Sequence, residues 1–252
     1  YLLFHFATKA LFNPLQMTKF SQRSQELVLS PIRKLAPYAD AAEARGHRVY
    51  YLNIGQPDIL TPPQAIQKLR ETPIETLQYS PSLGVTSYRQ KLPQYFQRFG
   101  ISVRPEDIMI TTGAAEAIFL CLMATMDPGD EIIIPEPFYA NYLGFAAMAG
   151  VKVVPVTSYL KDAFALPEVA DIEEKVTERT RAILLCNPNN PTGCIYAQDV
   201  LEELGAVVKA KDLYLIVDEV YREFVYDDTP FCSALQLTGL EEQVIVIDSI
   251  SK

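Results

Sequence analysis

Histidine is nearly missing from this chain: His5 and His47 are the only two in 252 residues, which excludes a histidine-rich metal site. Cysteine is scarce too. Cys121, Cys186, Cys194 and Cys232 show neither CxxC spacing nor a disulfide framework, and the usage suits a reducing cytosol. Cys121 and Cys186 sit in apolar runs and read as small core residues. Basic charge is in short supply: 22 Lys and Arg against 31 Asp and Glu leave a net charge of −9. Nucleic acid or an anionic membrane surface would need a basic face, so neither is expected as a partner. No stretch is long and clean enough to span a bilayer. Internal repeats and low-complexity linkers are absent as well.

What remains is 49% hydrophobic and 21% charged, the balance of a globular protein with a sizeable core. The length allows one large domain, or a large one with a small appendage. From Arg104 onward, short apolar runs alternate with helical stretches. The runs are Asp107–Thr111, Glu131–Ile134, Val151–Val154, Ala182–Cys186, Leu213–Val217 and Val244–Ile247. Each has strand length and ends in polar or glycine punctuation, as buried parallel strands do. The helical patterns lie at Ala114–Met126, Tyr139–Ala149, Asp171–Glu178 and Ala197–Lys211. In the last, Val200, Leu201, Leu204, Val207 and Val208 form the stripe of a helix packed on a sheet. This alternation predicts an α/β fold, a mostly parallel sheet sandwiched by helices, with its ligands at the carboxyl ends of the strands.

The N-terminal part reads differently. Residues 1–29 form an extension, apolar and aromatic up to Gln16, with Met17 as the natural start. A signal peptide fits poorly, since there is no basic leader and Asn13-Pro14 breaks the run. A helix is predicted over Ile32–Arg45 within a segment of residues 30–60. Residues 61–252 form the large domain, mostly helical over 62–104 with turns at Pro73, Ser80-Pro81-Ser82 and Gly100.

Three segments carry the chemistry, in this order: Asn187-Pro188-Asn189-Asn190-Pro191-Thr192-Gly193, Asp218-Glu219-Val220-Tyr221, and Ser249-Ile250-Ser251-Lys252. They supply a polar turn, a strand-end carboxylate with a phenol, and an amine nucleophile. Such a set can hold and use pyridoxal phosphate. Asp218 would pair with the pyridine nitrogen and keep it protonated; the plainer alternative is a carboxylate capping the next helix. Tyr221 and Asn190 would both donate to the ring's 3-oxygen and tune the nearby nitrogen's proton affinity. Asn187 holds the turn, and Glu219 faces away and is structural. Lys252 would carry the cofactor and later move a proton between the substrate Cα and the cofactor. Thr112-Gly113-Ala114-Ala115 joins a strand to a helix, so the first N–H groups of that helix can cradle a phosphate. Ser249 adds a hydroxyl.

In these motifs the sequence resembles the class I aminotransferases among the fold-type I pyridoxal-phosphate enzymes, from about Ser30 to Lys252. The resemblance implies a large cofactor-binding domain and, in residues 30–60, the first part of a small domain. It implies that the polypeptide continues past Lys252 into the rest of that small domain. Two arginines are implied there, one for phosphate and one that forks onto the substrate α-carboxylate. Tyr139 takes the place of the aromatic that stacks on the pyridine ring, although Phe138, Tyr142 or a plain core role compete for it. Tyr79 is implied to reach the phosphate of a second subunit in a homodimer. Gly55 resembles the glycine beside the substrate carboxylate and is equally a turn glycine. The implied activity is cytoplasmic transamination between an L-amino acid and a 2-oxo acid. The same residues also suit a β-lyase or a decarboxylase, or a cofactor-binding domain without catalysis.

Overall fold

The computed structural model describes residues 21, 33–53, 55, 59–76, 78–226 and 228–252. The extension read over residues 1–29 lies outside them, Ser21 apart. Five strands are found among the described residues: β1 (Glu131–Glu136), β2 (Lys152–Thr157), β3 (Thr180–Cys186), β4 (Tyr214–Asp218) and β5 (Val244–Ile247). They pair in parallel throughout, in the order β2-β1-β3-β4-β5. Eight helices accompany them among the described residues. The first four are α1 (Ala36–Ala44), α2 (Pro63–Glu71), α3 (Thr86–Arg89) and α4 (Leu92–Gln97). The others are α5 (Ala114–Thr125), α6 (Asn141–Ala149), α7 (Val169–Glu174) and α8 (Gln198–Ala210).

The continuous apolar runs follow from burial on both faces. Side chains alternate along a strand, so successive residues enter opposite cores. Ile133, Ile183, Leu185, Leu215 and Val217 meet Leu201, Leu204 and Val208 of α8 and Ile172 of α7. On the other face Ile132, Ile134, Leu184 and Ile216 meet Ile118 and Leu122 of α5 and Tyr142, Ala146 and Ala149 of α6. Each such Leu or Ile contributes about 1.5–3 kcal/mol on leaving water. The expected α/β sandwich is therefore present, with the predicted stripe of α8 turned inward.

Strand order reverses between β1 and β3. A connection leaves β1 through α6 for β2 on one side, while β3 lies on the other side and leads through α8 to β4. The carboxyl ends of the strands at such a reversal are the usual place for a ligand in sheets of this kind.

Three sequence expectations are revised. The run Asp107–Thr111 is not a strand: a short 3-10 turn covers Pro105–Asp107, and residues 108–111 join no ladder among the described residues. A strand needs a neighbour, and a cleft of about 1550 Å³ separates Ile108–Thr111 from the outer edge of β5. The helix expected to end at Glu178 stops at Glu174, because the Thr177 hydroxyl donates to Glu131 and accepts from the Arg179 N–H. Residues 62–104 hold three short helices, not mostly helix. Pro73 and Pro81 fall between them, where the missing N–H prevents continuation.

Candidate active site

Sheet register brings the motifs together. Cys186 of β3, Asp218 of β4 and Ile247 of β5 lie side by side at the carboxyl ends. The Asn187 N–H donates to the Asp218 carbonyl at 3.0 Å and the Glu219 N–H to the Ile247 carbonyl at 2.8 Å. The three motif segments therefore leave the sheet at one level.

Asp218 is 4% exposed. Its Oδ2 accepts the Tyr142 hydroxyl at 2.7 Å, and its Oδ1 accepts the Val220 N–H at 3.3 Å. Burial pushes its pKa up, while these two donors act the other way. Burial likewise lifts the Tyr142 phenol well above its ordinary range, followed by the Asp218 charge, so the phenol stays a donor. A buried carboxylate of this kind is costly until a cation faces it. A protonated pyridine nitrogen would supply that cation, so this part of the site fits pyridoxal phosphate.

Asn190 Nδ2 donates to the Tyr221 hydroxyl at 3.3 Å, so the amide and the phenol converge as one oxygen ligand would require. The Lys252 Nζ stands 5.6 Å from the centre of the Tyr221 ring. The turn behind them is tightly knit. Asn187 Oδ1 accepts the Tyr196 N–H at 3.0 Å, and Asn189 Oδ1 accepts the Thr192 N–H and hydroxyl at 3.2 and 2.9 Å. The Asn187 Nδ2 is buried without a hydrogen-bond partner.

Tyr139 meets the Tyr142 ring edge-on at 5.5 Å, and Asn141 Nδ2 donates to its hydroxyl at 2.6 Å. The Phe138 ring is stacked with that of Tyr142, their centres 6.3 Å apart. Tyr142 itself is 1% exposed, which leaves it no face for a ligand. Its work is to hold Asp218, and sequence reasoning missed this. The available signal was its spacing from Tyr139, one helical turn on from the end of β1.

Gly113 precedes α5 with φ +85°, and a Cβ there would meet nothing within 4 Å. This open backbone leads into the first N–H groups of Ala114 and Ala115, which lie outside the helix's own ladder. The Thr112 N–H is met by the Glu116 carboxylate, so Glu116 claims one neighbouring amide for itself. The Ser249 hydroxyl shares a 2.8 Å hydrogen bond with that of Ser251 and accepts the Ser251 N–H at 3.1 Å. Two expected residues stand apart. Tyr79 is fully exposed and, among the described residues, makes no hydrogen bond to the other site residues, and Gly55 is exposed. Among the described residues no group of three or more His, Cys, Asp or Glu is placed to hold a metal ion, and no helix is long and apolar enough to cross a membrane.

Known proteins share this fold. The aspartate aminotransferase of Thermotoga maritima is 31% identical over 92% of this chain and 62% of its own length. Its crystal structure superposes with a TM-score of 0.86. The aromatic-amino-acid aminotransferase 2 of Thermococcus litoralis is 34% identical over 92% of this chain and 59% of its own. The chain thus spans about 60% of the length of the curated relatives it matches. The family profile described as aminotransferase class I and II matches residues 48–252. With that match over most of its length, the chain belongs to the class I and II aminotransferases, a family whose cofactor is pyridoxal phosphate.

Proposed function

We propose that this chain carries the cofactor site of a transaminase that passes an amino group between an L-amino acid and a 2-oxo acid. The observation that carries the reading is Asp218, buried and held by Tyr142 and close enough to feel the Lys252 charge, with Tyr221 bonded to Asn190 and lying beside Lys252. When bound, pyridoxal phosphate supplies an electron sink for the charge left when a substrate Cα loses its proton. Asp218 keeps positive charge at the ring nitrogen. Tyr221 and Asn190 donate to the ring oxygen. Tyr139 covers one face of the ring, and Gly113, Ala114, Ala115 and Ser249 take the phosphate. The Lys252 amine would hold the proton removed from the substrate Cα and could return it to the cofactor carbon on the far side of the amino nitrogen.

On this reading residues 30–60 belong to a small domain, residues 61–252 to the large one, and the extension at 1–29 to neither. Gly55 and Asn190 face the substrate carboxylate. Tyr79, so fully exposed here, completes the phosphate site of a second subunit in a homodimer. The cytoplasm is the compartment that four unpaired cysteines suit best. The relatives' names include both aspartate and aromatic donors, so the two are tried separately.

The test is a half-reaction with the intact protein as its source makes it, loaded with pyridoxal phosphate. L-aspartate or L-phenylalanine alone, without any 2-oxo acid, should convert the cofactor to its amine form and release one 2-oxo acid per site, then stop. Continuous release of ammonia or pyruvate would instead make the protein a lyase.

A further inference from the structure

Behind the site lies a second cluster that the reading above does not use. Arg222 is almost fully buried. Its Nε and Nη2 donate to Glu219 Oε2 at 3.1 and 2.8 Å, and its Nη1 donates to Asp248 Oδ2 at 3.0 Å. The guanidinium lies over the Phe96 and Phe99 rings, 4.9 and 5.5 Å from their centres. Glu219, 0% exposed, is saturated in turn: Oε1 accepts the Ser233 hydroxyl at 2.9 Å and the Ala234 N–H at 2.8 Å. Tyr95 approaches from α4; burial first, then the nearby Asp248 charge, pushes its phenol up to about 12.

The chain positions of this cluster matter more than its charge. Glu219 directly follows Asp218, Arg222 directly follows Tyr221, and Asp248 directly precedes Ser249 and stands four residues before Lys252. Each member is therefore the immediate neighbour of a site residue, facing the opposite way. A single planar guanidinium binds the turn after β4 to the turn after β5. Buried ion pairs of this kind contribute little net stability compared with a well-packed apolar replacement, but they fix geometry.

We propose that Arg222 is a positioning residue that, resting on the transaminase reading, sets the aim of Lys252 and Ser249 relative to Asp218 and Tyr221 by clamping Asp248 and Glu219 together. It acts through these two carboxylates and not on the reacting atoms. The groups whose charge bears on the clamp are Glu219, Asp248 and Tyr95 around the guanidinium, with Asp218 and Lys252 on the site side.

The test uses the full-length protein with pyridoxal phosphate and the variants Asp248→Asn, Arg222→Lys and Arg222→Met. Asp248→Asn leaves the Glu219–Arg222 pair whole, so this variant keeps the fold even if Arg222→Met does not. Three readouts are independent of turnover: melting of the apoprotein, visible circular dichroism per bound cofactor, and the fraction of cofactor that borohydride fixes to Lys252. Asp248→Asn should melt within a few degrees of the parent yet lose at least half of the visible signal. Its kcat should fall about tenfold to a hundredfold, as a misplacement of about 1 Å can cause, with KM changed less than about threefold. Arg222→Lys, which offers one point charge to two carboxylates, should fall between the parent and Arg222→Met. Variants that change melting but keep the parental visible signal, borohydride yield and kcat would overturn the proposal and make the cluster purely structural. Failure of the parent protein to convert its cofactor with amino acids would sink the transaminase reading instead, and the visible and borohydride readouts would still judge the clamp.

Discussion

Tyr142→Phe tests one hydrogen bond at the centre of the site. The ring stays, with its packing against Tyr139, Phe138 and the core, and the 2.7 Å contact with Asp218 Oδ2 is lost along with the weaker one to the Cys186 thiol. Asp218 then keeps a single donor, the Val220 N–H at 3.3 Å. A hydrogen bond to a buried charged group contributes about 1.5–3 kcal/mol. That amount is withdrawn from the ionised carboxylate, the form that holds positive charge on the pyridine ring. At about 1.4 kcal/mol per factor of ten, the cofactor Kd should rise roughly tenfold to a hundredfold. The assay is titration of the full-length apoprotein with pyridoxal phosphate, followed by absorbance at neutral pH. A double cycle with Asp218→Asn sharpens it, because the phenol's contribution should shrink to about 1 kcal/mol against a neutral partner. A Tyr142→Phe protein that binds cofactor within twofold of the parent would refute the reasoning.

Further expectations concern charge, the amine and the packing. Asp218 has a folded-state pKa raised above its unfolded value, so the native apoprotein binds that proton more tightly and loses this stabilisation as pH rises through the folded pKa. Asp218→Asn should therefore melt higher than the parent apoprotein at neutral pH, with the gap closing as pH falls, while activity is lost; a gap that widened on acidification would contradict the sign. Lys252→Ala should leave nothing for borohydride to fix at that position and cost about 10²–10⁴-fold in kcat through the lost proton transfer, measured in single-turnover assays. Gly205→Ala would put a Cβ 2.7 Å from Leu240 Cδ1 in the core beneath α8 and should destabilise by about 1–3 kcal/mol, read from denaturant melts.

The sheet was legible because its strands are buried on both faces. A run such as Ala182–Cys186 has only one arrangement that buries five apolar or small side chains and satisfies their backbone groups. The residues of the three motifs were legible because each follows such a strand, where a polar side chain has little else to do. Asp107–Thr111 looked the same in sequence, yet pairing is decided by what lies alongside, and local composition does not record neighbours. Tyr142 escaped for a similar reason. It is one aromatic among several in Phe138–Phe145, and only the register of β1 against β3 and β4 sets it opposite a carboxylate far along the chain. Glu219 was read as structural, but its partner Ser233, and Asp248 on the other side of Arg222, come from loops whose return paths have no periodic signature.

The outer edge of β5 has a practical consequence. Val244–Ile247 is a four-residue ribbon of β-branched side chains without proline or charge, and no strand among the described residues covers its far side. Natural sheets blunt such borders with lysine, proline or a bulge, because bare amides and carbonyls recruit any strand that drifts past. Residues 1–252 expressed by themselves should therefore self-associate with rising concentration, extending the sheet from one molecule to the next. Solubility of that preparation would reflect this border, whatever the state of the catalytic groups on the neighbouring turn.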